Sequence, residues 1–182
     1  VDYFGSGEGN SSSDGRFVAL ADATRMFVVD MDPQAPFASY ASGNRRIGPA
    51  VNFSGCGLSD CSADWVSISA SGKYAVVSYN GDHPRVYDVN PADLSLTPRP
   101  MPLASPECSG HDPLAGYIFD LGHADMTLNP YDGNKDVIVG QRRSWCPSTV
   151  GGVAQGSVQM VRLEDNTLTS LTNPSNEASS HH

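Results

Sequence analysis

The stretch Ser67–Tyr79, "SISASGKYAVVSY", decides the fold. Two short runs of alternating apolar residues flank a Ser-Gly-Lys step. That pattern is a strand, a tight turn suited to positive φ at Gly72, and a second strand. Downstream, "PRVYDVN" (84–90) gives a third, apolar strand ending in polar residues, and "LSLTPRPM" (94–101) gives a fourth. The same order occurs on either side. Before it stand "SSSDGRFVALAD" (11–22), "RMFVVDMD" (25–32) and "FASYA" (37–41). After it stand "TLNPYDGNKDVIVGQ" (127–141), "VQMVRLED" (158–165) and "NTLTSLT" (166–172). The turn glycines Gly15, Gly72 and Gly133 recur at spacings of 57 and 61. "SADW" (62–65) and "HADM" (123–126) mark the same point in consecutive repeats, the start of the innermost strand.

Four antiparallel strands per repeat at this period are the signature of a β-propeller blade. A β-sandwich would accommodate the strands but not the repeated strand–Gly–strand–Asp order. The reading is all-β, with blades at approximately 5–42, 62–103 and 123–173. Period-two alternation predicts that Phe17, Ala19, Tyr74 and Val76 pack toward one neighbouring blade, and Val18, Leu20, Ala75 and Val77 toward the other. Propellers close with about four to eight blades, and this chain holds about three. Either it is a piece of a longer propeller, the reading favoured by the "NEASSHH" ending (176–182), or copies assemble to complete a ring.

Composition agrees. The 182 residues, with 18 Gly and 13 Pro, suffice for one domain with a core, and no window shows helical apolar spacing. Net charge is −9, and basic residues cluster only at Arg45-Arg46 and Arg142-Arg143, which argues against nucleic acid as a partner. No run of 18 apolar residues is present, so no membrane span is expected. The chain begins at Val1 without a leader, as a mature chain or a fragment would. Cysteines stand at 56, 61, 108 and 146. They lack the CxxC pairs and neighbouring histidines of a zinc site, and their three possible pairings stay open. Disulfides are the expectation, and with them an extracytoplasmic compartment, secreted or periplasmic. Asn10-Ser11-Ser12 and Asn52-Phe53-Ser54 fit the glycosylation sequon.

Chemistry concentrates in "SGHDPLAGYIFDLGHAD" (109–125), which holds His111, Asp112, His123 and Asp125 in a chain with five histidines. Together "GEGNSSSDGRFVAL" (7–20), "DWVSISASGKYAVVSYNG" (64–81) and "GHADMTLNPYDGNKDVIVG" (122–140) resemble secreted bacterial propellers of the oligogalacturonate-lyase and ulvan-lyase type. The resemblance implies a seven-bladed ring that cleaves uronate-containing polysaccharide by β-elimination. It also implies site histidines, a tyrosine, an arginine and often a bound divalent metal ion. His123 in "GHAD" resembles the histidine placed at the start of an inner strand, and His111 is the candidate for a second. Ser180-His181-His182 resembles the beginning of a later histidine motif, and equally a truncated purification tag. The family's own tyrosine and arginine are expected beyond this chain.

β-Elimination needs a base for the proton α to the uronate carboxylate and a cation to neutralise that carboxylate. His123 suits the first role because imidazole titrates near neutrality. Tyr117 is the candidate acid. Alternation along "DVIVGQRRSW" (136–145) turns Arg142 and Arg143 to opposite faces, so one of them meets substrate, and Arg143 is the candidate. Each has a structural alternative: His123 bonded to Asp125 within its blade, His111 in an ordinary loop, the arginines on a solvated edge. "DGNKD" (132–136) spaces oxygens like a calcium loop but lacks its Gly and distant Glu, so a hairpin turn is expected. Asp30, Asp32, Asp88 and Asn90 are expected to accept turn N–H bonds. "GSGEG" (5–9) precedes no helix, and no GxSxG or HExxH motif occurs, which argues against nucleotide and serine-hydrolase chemistry. The partners that fit are an acidic polysaccharide or another extracellular protein; the alternative to a lyase is a non-catalytic module that binds carbohydrate or protein, or a component of an extracellular assembly.

Overall fold

A computed structural model describes residues 11–21, 25–33, 47–52, 63–79, 85–100, 121–142 and 158–171. They form eleven strands: β1 (Phe17–Ala21), β2 (Arg25–Asp30), β3 (Val51–Asn52), β4 (Ala63–Ile68), β5 (Tyr74–Tyr79), β6 (Arg85–Val89), β7 (Leu96–Pro98), β8 (Leu121–Asn129), β9 (Lys135–Arg142), β10 (Val158–Arg162) and β11 (Thr167–Ser170). Three antiparallel sheets result, β1-β2-β3, β4-β5-β6-β7 and β8-β9-β10-β11, each pairing neighbours in chain order. An isolated antiparallel bridge joins Ser11 to Val18 at the edge of the first sheet. In that sheet β2 pairs onward with Val51–Asn52, beyond the expected boundary at residue 42; "FASYA" lies outside the described residues.

The first two turns are built alike, because their sequences are. In each, a Ser hydroxyl accepts from the amide five residues on, Phe17 to Ser12 at 2.9 Å and Tyr74 to Ser69 at 3.1 Å. Glycine follows with φ of +71° at Gly15 and +73° at Gly72, the left-handed region that costs side-chain-bearing residues about 1–2 kcal/mol. The third turn is longer. A 3-10 turn at Pro130–Asp132 is capped by Asn129 and ended by Gly133, so "DGNKD" is a hairpin turn as expected.

Alternation places two cores between three sheets. Ala19, Ala21, Met26 and Val28 of the first sheet pack with Val66, Ile68, Ala75, Val77 and Tyr87 of the second. The second sheet's other face sends Val76 and Val86 against Met126, Ile138, Val161 and Leu163 of the third. Phe17 joins the first core and Tyr74 the second, so the predicted facing holds for both repeats. Burying each of the Val, Ile, Leu and Met side chains among them contributes about 1.5–3 kcal/mol. Face-to-face stacking of successive antiparallel meanders defines the sheets as blades 1, 2 and 3 of a β-propeller.

The turns are also stitched together. The amide and hydroxyl of Ser13 on blade 1 both donate to the Ala70 carbonyl on blade 2, each at 2.9 Å. The Ser71 amide donates to Asp136 of blade 3 at 3.2 Å. Close approaches mark the same seam. A Cβ added to Gly72 would stand 2.4 Å from the Phe17 ring, and one added to Gly48 would meet the Leu94 carbonyl oxygen at 2.4 Å.

Candidate functional site

In a meander the connections alternate between two rims. Turns 12–17, 69–74 and 129–135, with 90–95 and 163–166, share one rim. Strands β4 and β8 begin at the other, where β5 and β9 end. His123 lies on β8 at this second rim.

Its backbone setting is unusual. Leu121 pairs with Arg142 and Ala124 with Gly140, so two residues of β8, Gly122 and His123, oppose only Gln141. This is a β-bulge, a device that re-aims a side chain and is common beside functional sites. Blade 2 bulges at the start of its own first strand, between Ala63 and Trp65. The "SADW" and "HADM" sites are therefore alike in position, at irregular strand starts on one rim. Arg142 closes β9 opposite Leu121, which puts a cationic residue type and His123 at the same end of adjacent strands. His111, Tyr117, Arg143 and all four cysteines lie outside the described residues.

Sequence reasoning missed Arg85. It starts β6 at the same rim, in register with Val77, and is 7% exposed. By alternation it shares the blade-1 side of β6 with Tyr87 and Val89. An Arg opening an otherwise apolar run was the only available signal.

The charged groups of the turn rim are structural. Arg16 grips the buried Asp30 through Nε and Nη2, at 3.1 and 2.9 Å to Oδ2, and lies over the Phe17 ring. Blade 2 reaches the same arrangement from a different position: Arg99 covers the Tyr74 ring and donates to Asp88 at 2.7 Å. Arg99 also donates to Asn166 and to the Leu163 carbonyl, which ties blade 2 to blade 3. Arg162 bridges Asp132 at 2.7 Å and Asp165 at 2.6 Å. That guanidinium, helped by the Thr167 hydroxyl and amide, holds the Asp165 carboxyl down at about 2. The Ser12 hydroxyl and the Arg16 amide lower Asp14; Ser95 lowers Asp93 in the same way. Glu164 raises Lys135 through a direct ion pair, and burial raises Tyr74. Asp30 and Asn90 accept turn amides as expected, from Asp32 and Ala92. Asp88 accepts from Arg99 instead.

No group of three or more His, Cys, Asp or Glu among the described residues could hold a metal ion. No described helix is long and apolar enough to cross a membrane.

The molecule is thus a β-propeller protein, as its strand order and stacking define. No known family model and no curated protein matches the chain. Among solved structures it is similar to the dihydro-heme d1 dehydrogenase NirN in complex with DHE, at TM-score 0.45 and 11% identity over 90% of this chain and 27% of that one. It is also similar to Kuenenia stuttgartiensis hydrazine synthase, at 0.30 and 16% over 90% and 53%. A third is the Dos1 propeller, at 0.32 and 8% over 92% and 50%. The chain therefore spans 27%, 53% and 50% of these structures' lengths.

Proposed function

We propose that these blades belong to an extracytoplasmic propeller that acts on uronate-containing polysaccharide by β-elimination at the strand-start rim. The observation that carries the reading is the bulge at Gly122-His123 beside the end of β9, where Arg142 precedes Arg143. A base-type and a cationic residue type meet there at one end of adjacent strands.

In this reading His123 takes the proton from C5 of the uronate while Arg143 neutralises the adjacent carboxylate. The C5–H electron pair forms the C4–C5 double bond and the C4–O4 bond breaks. Tyr117 gives its proton to the departing oxygen, and His111 is the candidate for the second site histidine. Carboxylate neutralisation matters most, because it makes the C5 proton acidic enough for imidazole. Four cysteines in 182 residues support the oxidising compartment.

The test follows ultraviolet absorbance from unsaturated ends as the protein and its His123→Ala variant are incubated with pectic, alginate and ulvan-type substrates, with and without divalent metal. Absorbance that rises with the wild type and stays flat with the variant supports the lyase. Flat traces from folded wild type on every substrate refute it and leave the non-catalytic reading, in which His123 and Asp125, two positions apart on β8, serve the blade itself.

A further inference from the structure

The bulge on β8 singles out one residue of the neighbouring strand. In blade 2 the extra residue, Asp64, falls between the pairs Ala63–Tyr79 and Trp65–Ser78, and since Ser78 and Tyr79 are consecutive, no residue stands against it. In blade 3 the pairs Leu121–Arg142 and Ala124–Gly140 leave Gln141 standing against Gly122 and His123. Alternation then separates the two polar residues that close β9. Ile138 packs in the core shared with blade 2, so Gly140 and Arg142 belong to that face, and Val139 and Gln141 belong to the other. Asp125, in register with Val139, is on the face of Gln141.

An imidazole acts as a base through its unprotonated nitrogen, and the hydrogen bond made by the other nitrogen decides which one that is. Glutamine suits that task across the range in which imidazole titrates, because its amide offers an acceptor and two donors and carries no charge. A carboxylate in the same role would also stabilise the imidazolium and so raise its proton affinity. We propose that Gln141 is the positioning residue for His123, fixing its neutral tautomer and with it the nitrogen left free as base. As a contribution to β-elimination this rests on the lyase reading; the pairing of Gln141 with His123 does not. The other ionisable residues of this end are Asp125 on β8, Arg142 on β9 and, on the blade-2 strands that approach β8, Asp64 of β4 and Tyr79 of β5.

Heteronuclear NMR of the imidazole nitrogens in the whole chain reads tautomer and titration together, with His123 assigned as the signal missing from His123→Gln. The expected wild-type spectrum shows one neutral tautomer of His123. Gln141→Met mixes the two tautomers, and Gln141→Glu raises the His123 midpoint by about 1 pH unit, as a nearby opposite charge does. Asp125→Asn leaves the tautomer as it was. Mixed tautomers in the wild type, a midpoint that Gln141→Glu does not raise, or a tautomer lost in Asp125→Asn and kept in Gln141→Met overturns the proposal. Circular dichroism checks that the variants fold; if neither Gln141 variant does, the wild-type and Asp125→Asn spectra decide. Where turnover is measurable, Gln141→Met lowers kcat at least about tenfold and changes KM by less than about twofold. Absence of turnover in the wild type refutes the lyase reading alone, and the spectra still decide the pairing.

Discussion

Gly72 offers a controlled test of how the blades meet. Gly15 and Gly72 occupy the same place in like turns, with φ of +71° and +73°. An alanine at either would incur the left-handed cost of about 1–2 kcal/mol. The surroundings differ. The added Cβ at Gly15 meets nothing within 4 Å, whereas at Gly72 it stands 2.4 Å from the Phe17 ring of blade 1. Phe17 is held by the Arg16 guanidinium over its ring and by the first core beneath it, so it yields only by shifting the seam. Overpacking of this kind costs about 1–3 kcal/mol more. Gly15→Ala is therefore expected to lose about 1–2 kcal/mol and Gly72→Ala about 2–5 kcal/mol. In a chain this size each kcal/mol lowers the midpoint by about 2–4 °C. Denaturant titration, with thermal melting beside it, measures the difference. Equal losses within about 0.5 kcal/mol, the spread of ordinary surface substitutions, would refute the claim that Phe17 packs on this turn.

Other perturbations probe other parts. Arg99→Ala removes the bonds to Asp88, Asn166 and the Leu163 carbonyl, and is expected to cost about 2–4 kcal/mol in denaturant unfolding; Arg99→Lys recovers little, because an ammonium cannot fork among three acceptors. Met26→Ala, at a fully buried position between blades 1 and 2, is expected to cost about 2–5 kcal/mol by the same measurement. Asp165 has its carboxyl lowered from 3.8 to about 2, so its contribution is complete above the unfolded value and is lost as pH falls through that window. Asp165→Asn is expected to flatten the acid limb of stability between about pH 4 and 2, as followed by circular dichroism.

The blades were legible because two kinds of signal agreed. Ser12-x-Asp14-Gly15 and Ser69-x-Ser71-Gly72 announce their turns through side-chain acceptors and a left-handed glycine, and strict alternation sorts Ala75 and Val77 from Tyr74 and Val76. The last strand of blade 1 was harder to place. Two residues, Val51–Asn52, carry too little pattern to identify from sequence, while "FASYA" carries more. The bulges at Asp64 and at Gly122-His123 were invisible, since an extra residue in one strand leaves composition unchanged and shows only against its partner. The same holds for Arg99. It stands in a Pro-flanked segment, and its work depends on Tyr74, Asp88 and a turn of the next blade, far away in sequence.

The location of the site is the central functional claim, and amide hydrogen exchange tests it independently of turnover. The protein is measured with and without a saturating uronate oligosaccharide. The account predicts slowed exchange at 121–125 and 63–65, the bulged starts of β8 and β4, with turns 12–17 and 69–74 unchanged. Protection confined to those turns, or none anywhere, would contradict it.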